Sequence, residues 1–221
     1  MKGLIKNDFF VFKRTVALAL PIIYVLSALI IIFSETDELL YTFPCIYSGM
    51  ILGFIPAALY SEDKRSGWNK YNAVMPYRRR DYVIVKYLFG LVASLIYILF
   101  ISCVILIKVN FSDWLDFDDY LFMLCIIVVC CLAPVAIIMP IALKHSPQVG
   151  FLAFGISCLL IGFLCGMASG YLDALFEENV DYWYNGGRGS FIILGSVALI
   201  SVILYIISWF CSIKIYEKAD L

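Results

Sequence analysis

The sequence predicts an all-α polytopic membrane protein: six transmembrane helices, an N-terminal amphipathic interfacial helix, and a short amphipathic helix on the cytoplasmic side. Three observations predict it. The first is composition: of 221 residues, 63% are hydrophobic and 15% charged, with a mean hydropathy of +0.95. A soluble domain carries about 45–50% apolar and about 25% charged residues. The excess is too large for one soluble core, and it excludes disulfide scaffolds, nucleic-acid binders and disordered tails. The second is that the apolar residues lie in six blocks without Asp, Glu, Lys, Arg or His, together 127 residues. The third is that Lys and Arg fall almost entirely on one side of those blocks.

Residues 1–14 open the chain as an amphipathic segment. At 100° per residue Lys2, Lys6 and Lys13 share one side of a helix, while Leu4, Ile5, Val11 and Phe12 gather on the other. Such a helix lies flat at a membrane surface; it is either a topological anchor or an elbow that also meets a cytoplasmic partner. No A-x-A-like cleavage site follows, so a removable signal is not expected.

The uncharged blocks are 17–33, 41–60, 87–107, 120–143, 149–170 and 190–212, of 17 to 24 residues. Crossing a bilayer takes about 20 apolar residues. Barrel strands alternate in runs of about 10, and these blocks do not alternate. The third span begins earlier than its uncharged block, at 82, with Asp81 as its cap and Arg78–Arg80 at the headgroups. The chain is thus one transmembrane domain over 1–221, with no second domain or internal repeat.

The N-terminal segment, loop 61–86, loop 144–148 and the tail hold 14 Lys and Arg; the opposite loops hold only Lys108 and Arg188. The positive-inside rule places both termini in the cytoplasm. With the acids included, the inner side is +8 and the outer side −9. The basic side meets anionic lipid headgroups. The longest outer segment, 171–189, carries Tyr182, Trp183 and Tyr184, which suit an interface anchor.

Small residues recur at spacing four. Gly49, Gly53 and Ala57 lie on the second span, and Gly162, Gly166 and Gly170 on the fifth. Such stripes let helix backbones approach closely. All eight Cys fall inside spans, without a C-x-x-C, so neither a disulfide framework nor a zinc site is expected.

What the spans lack bears on function. Ion-coupled transporters and proton pumps carry titratable groups in the membrane, and an intramembrane hydrolase needs a nucleophile with a base, or metal ligands. The single histidine, His145, sits in a cytoplasmic turn, and no G-x-x-x-x-G-K-[ST] loop is present. Energy for uphill movement must therefore come from another protein.

That directs attention to the loop after the second span, read as segment 61–76. Ser61 suits an N-cap, Glu62 and Asp63 a first turn, and Lys64 and Arg65 follow; Pro76 blocks continuation. Trp68 and Tyr71 suit either a docking surface or insertion into the headgroup layer.

The stretch resembles the E-x-x-x-G-x-x-x-x-x-x-x-P-x-x-R-x-x-x-V-x-x-K-Y-L pattern of permease subunits of type 2 ABC exporters. Here it is met by Glu62, a glycine one place late at Gly67, Pro76, Arg79, Val83, Lys86, Tyr87 and Leu88, with Ser66-Gly67-Trp68 as its core. The layout is similar over essentially the whole chain. The resemblance implies a coupling helix that seats in a groove of a separate ATPase, with Glu62, Asp63, Lys64, Arg65, Ser66, Gly67, Trp68, Asn69, Lys70 and Tyr71 making the contact. It also implies two ATPase copies holding ATP and magnesium, no cofactor on this chain, and a homodimer or heterodimer with a second permease in a bacterial cytoplasmic membrane. Within the family the chain looks similar to small exporters of amphipathic peptides such as phenol-soluble modulins, and to bacteriocin-immunity permeases. A membrane sensor or scaffold, whose 61–71 helix binds a signalling protein, is the alternative.

Overall fold

The computed structural model describes residues 2–15, 19–33, 38–68, 78–111, 117–159 and 188–218. They form helices α1 (Lys2–Thr15), α2 (Ala19–Phe33), α3 (Glu38–Gly53), α4 (Ile55–Arg65), α5 (Arg79–Phe111), α6 (Phe117–Lys144), α7 (Pro147–Leu159) and α8 (Arg188–Lys218). No strand occurs among the described residues. Asn69, Lys70, Tyr71, Pro76, Gly162, Gly166, Gly170, Cys165, the end of the fifth predicted span and the outer segment 171–187 lie outside them.

Among the described residues four helices are long and apolar enough to cross a membrane: Pro44–Arg65, Arg79–Phe111, Met123–Lys144 and Gly195–Lys218. Leu20–Phe33 and Pro147–Leu159 are apolar but shorter. Long helices of this composition must bury or lipidate their apolar sides, because each satisfies its own backbone and leaves only side chains to solvate.

Two boundaries differ from expectation. Ser61 is not a helix N-cap. The helix carrying the second apolar block is interrupted only at Phe54, resumes with Pro56 in its first turn, where a missing N–H costs nothing, and runs through Ser61 to Arg65. It stops where Ser66 N–H reaches Glu62 O and Gly67 takes φ +72°, the left-handed conformation that glycine adopts without a Cβ penalty. Asp81 is likewise not a cap: α5 begins at Arg79, so Asp81 lies in the first turn, where a carboxylate still favours the helix dipole.

The helices pack around two apolar clusters. One joins Leu4 of α1, Ala57 and Tyr60 of α4, Tyr82–Tyr87 of α5, Val135–Leu143 of α6, Phe154 of α7, and Tyr205 and Tyr216 of α8. The other joins Ile31 of α2, Cys45 and Leu52 of α3, Ala93–Ile105 of α5 and Met123–Cys131 of α6. Glycines set the closest approaches. A Cβ on Gly53 would stand 2.7 Å from Pro134 Cγ and one on Gly49 3.1 Å from Cys130 Cβ, so α3 presses on α6. A Cβ on Gly90 would stand 2.4 Å from Pro56 Cγ, so the start of α4 presses on α5.

Aromatic hydroxyls fix α8 to α5. Tyr87 Oη shares 2.8 Å hydrogen bonds with Ser208 and Ser212, Tyr205 Oη donates to Tyr87 O, and Tyr216 stacks on Tyr82 with ring centroids 5.1 Å apart. The outward faces stay apolar: Leu95, Ile96 and Leu99 on α5, and Leu199, Ile200 and Ile203 on α8, are all exposed.

Candidate partner-docking site

Charged residues of α1, the end of α4, the start of α5, the α6–α7 turn and the end of α8 lie at one end of the bundle. Lys64 Nζ donates to His145 O at 3.5 Å, linking the end of α4 to that turn. Arg79 Nη1 donates to Glu217 O at 3.4 Å, linking the start of α5 to the end of α8.

The site's centre is the last turn of α4. Lys64, Arg65 and Ser66 are exposed, and Glu62 is partly exposed, pairing with Arg65 at 3.9 Å across one turn. An exposed pair at that spacing contributes little to stability. Gly67 and Trp68 follow, half-buried. Beside them a cavity of about 330 Å³ opens between Ser61, Lys64 and Arg65 of α4 and Ser146, Pro147 and Gln148 at the start of α7.

Asp63 differs from its neighbours. It is 1% exposed and points into the protein, not toward a partner. Its Oδ2 accepts from Lys86 Nζ at 2.6 Å and from Tyr82 Oη at 2.7 Å. Lys86 is 0% exposed and reaches a second carboxylate, Asp8 Oδ1 of α1, at 2.8 Å; Asp8 is also 0% exposed. The ammonium lies 5.1 Å from the centroid of the Tyr82 ring one turn earlier, within cation–π range. Three helices thus meet at one buried lysine. Loss of water holds the Asp8 carboxyl above the ordinary carboxylate range; attraction and hydrogen bonding from Lys86 oppose this, Asp63 reinforces it, and Asn7 opposes it weakly.

Neighbouring contacts explain why the three groups meet. Leu4, Asp8 and Phe12 form one i, i+4 stripe on α1. Leu4 is buried in the cluster against α4 and α5, and Phe12 packs on Phe89 with centroids 6.1 Å apart. Asp8 between them is carried inward by its apolar neighbours. The Pro56–Gly90 contact and the Asp63–Lys86 pair lie two turns apart on α4, so the two hold α4 antiparallel along α5.

Of the residues singled out from sequence, Glu62–Trp68 are placed together on the α4 tip, with Asp63 beneath the surface. Asp8, Tyr82 and Lys86 did not stand out as a site in sequence. A signal for Asp8 existed: it is the single acid on the apolar side of an amphipathic helix. Lys86 was named in sequence only as part of the family pattern, with no partner assigned to it. Among the described residues no three His, Cys, Asp or Glu lie together in a way that would hold a metal ion.

A bundle of long apolar helices of this kind is a multi-pass membrane protein. Residues 3–217 match the model of the ABC-2 family transporter proteins. The chain belongs to that family, as a membrane-spanning permease and not the ATPase. No curated protein and no solved structure matched the chain.

Proposed function

We propose that this chain is the membrane subunit of an ATP-driven exporter, with a separate ATPase docking on segment 61–71. Four long apolar helices plus α2 and α7 make six spans, with α1 flat on the cytoplasmic surface and both termini in the cytoplasm of a bacterial cell. Two permeases, identical or paralogous, flank the pathway, and two ATPase subunits bind ATP and magnesium beneath them. The substrate is hydrophobic or amphipathic, an amphipathic peptide being one fit, since the described spans offer an aromatic and apolar lining.

The observation that carries this reading is the α4 tip. It exposes Lys64 and Arg65 beside Trp68 while the same turn is braced from behind by buried Asp63. An aromatic flanked by charges on a rigid base suits a docking contact. A docked turn that is also bonded to α1 and α5 passes any displacement directly to those helices.

The test is co-purification with an ABC ATPase subunit from the same cell. Trp68→Ala and Glu62→Lys are expected to weaken the complex and lower its ATP turnover while leaving the permease folded. Export that persists in the absence of any ATPase would overturn the reading.

A further inference from the structure

The buried cluster contains one cation and two carboxyl groups. Were all three ionised, the cluster would bear a net negative charge at full burial, where lost hydration strongly disfavours an uncompensated ion. Lys86 neutralises one carboxylate. Among the described residues no other cation faces the cluster: α1 supplies Asp8 and Asn7, α4 supplies Asp63 with Tyr60 behind it, α5 supplies Lys86 and Tyr82, and α8 supplies Tyr216 stacked on Tyr82.

The two carboxyls are not equivalent. Asp63 Oδ2 receives two donors, the ammonium and the Tyr82 hydroxyl, which is how an ionised carboxylate is stabilised. Asp8 receives Lys86 on Oδ1, and its buried Oδ2 has no donor within hydrogen-bond distance among the described residues, the adjacent Asn7 side chain giving the carboxyl only a weak further donor. A carboxylate oxygen in that position would hold negative charge without a donor. A carboxylic acid with its O–H at Oδ2 would not, and its carbonyl Oδ1 accepts from Lys86 as observed.

We propose that Asp8 and Asp63 form a one-proton site: Asp63 is the anion paired with Lys86, and Asp8 is a neutral acid protonated on Oδ2. The ligand is a single proton, and the site clasps α1 to α4 and α5. The assignment does not depend on what docks on segment 61–71. Asp8 in the unfolded chain titrates in the ordinary range, while in the folded chain it keeps its proton to higher pH. The folded state therefore binds more protons between those two values, and stability falls as pH rises across that window. Above it the cluster carries net charge, and α1 loosens from α4 and α5.

Two measurements on the full-length protein in detergent test this. Infrared spectroscopy of the wild-type chain at neutral pH is expected to show the carbonyl band of a buried protonated carboxyl. Asp8→Glu should shift that band, and Asp63→Glu should leave it in place. Both Asp8→Asn and Asp63→Asn should abolish it, because either single change leaves one carboxylate for one lysine. Hydrogen exchange of residues 2–15, corrected for its intrinsic pH dependence, should rise with pH in the wild type and lose that rise in Asp8→Asn. Absence of the band in the wild-type protein, which needs no variant to fold, overturns the proposal. A band that moves in Asp63→Glu and not in Asp8→Glu overturns the placement of the proton on Asp8.

Discussion

Replacing Gly90 by alanine tests whether the approach of α4 to α5 is set by a missing side chain. The added Cβ would lie 2.4 Å from Cγ and 3.2 Å from Cδ of Pro56, against the 3.4–4 Å of ordinary contact. The obstacle is a proline ring, fixed to the backbone of the first turn of α4, so it has no rotamer by which to retreat. Relief requires the two helices to part by about an ångström at that level. Overpacking of this kind costs about 1–3 kcal/mol. Removing a helical glycine returns up to about 1 kcal/mol, so with the full return the expected net loss is up to about 2 kcal/mol. Carried along α4, the same opening would stretch the 2.6 Å contact between Lys86 and Asp63 beyond hydrogen-bond range. The assay is thermal unfolding in a fixed detergent, followed by size-exclusion recovery of monodisperse protein. Gly155→Ala is the control, because a Cβ there meets nothing within 4 Å. Gly90→Ala should lose stability and Gly155→Ala should not. If the two variants behave alike, the close approach does not control the packing of α4 on α5, and the reasoning from the Pro56 contact fails.

Other perturbations have equally definite outcomes. Lys86→Met removes the one cation facing two buried carboxyls and should cost about 3–5 kcal/mol in the same unfolding assay. Asp8→Asn combined with Asp63→Asn should also be far worse than either single change, because it alone strands Lys86 without a counter-ion. Gly67→Ala places a Cβ on a φ of +72° and should cost about 1–2 kcal/mol, fraying the α4 tip as read by hydrogen exchange of residues 62–68. Tyr87→Phe leaves Ser208 and Ser212 without their shared partner on α5 and should cost about 1–3 kcal/mol in unfolding. Lys64→Glu with Arg65→Glu alters exposed side chains; it should change stability by no more than about 0.5 kcal/mol while abolishing ATPase capture in a pull-down.

Much of the helical framework could be read in order along the chain. Uncharged blocks translate into helices because a backbone in lipid must bond within its own segment, and α2, α5, α6 and α8 each overlap an uncharged block. The boundaries around segment 61–71 were less legible. Ser61, Glu62 and Asp63 have the composition of a helix start, yet they occupy a helix end, because nothing between Pro56 and Gly67 interrupts a helix already under way. A capping residue signals a start only where the preceding chain is not helical.

The docking residues divide along the same line. Lys64, Arg65 and Trp68 were recognisable from local pattern and family resemblance, since a charged and aromatic cluster after an apolar block is a property of neighbours in sequence. Asp63 looked like one more charge in that cluster. Only packing shows that it turns inward to a lysine on α5 and, through that lysine, to an acid on α1.

The sequence by itself determined that this is a membrane protein built of apolar helices, that its basic residues concentrate in a few segments between apolar blocks, and that it resembles a permease without its own ATPase motif. Hydropathy, charge counts and motif spacing are local sums, so they survive without knowledge of the fold. The tertiary structure alone decided that Asp8, Asp63 and Lys86, with Asp8 and Lys86 78 positions apart, share one buried cluster. Whether a buried charge is a penalty or a clasp depends on what faces it, and that is a contact between distant segments which no local pattern records.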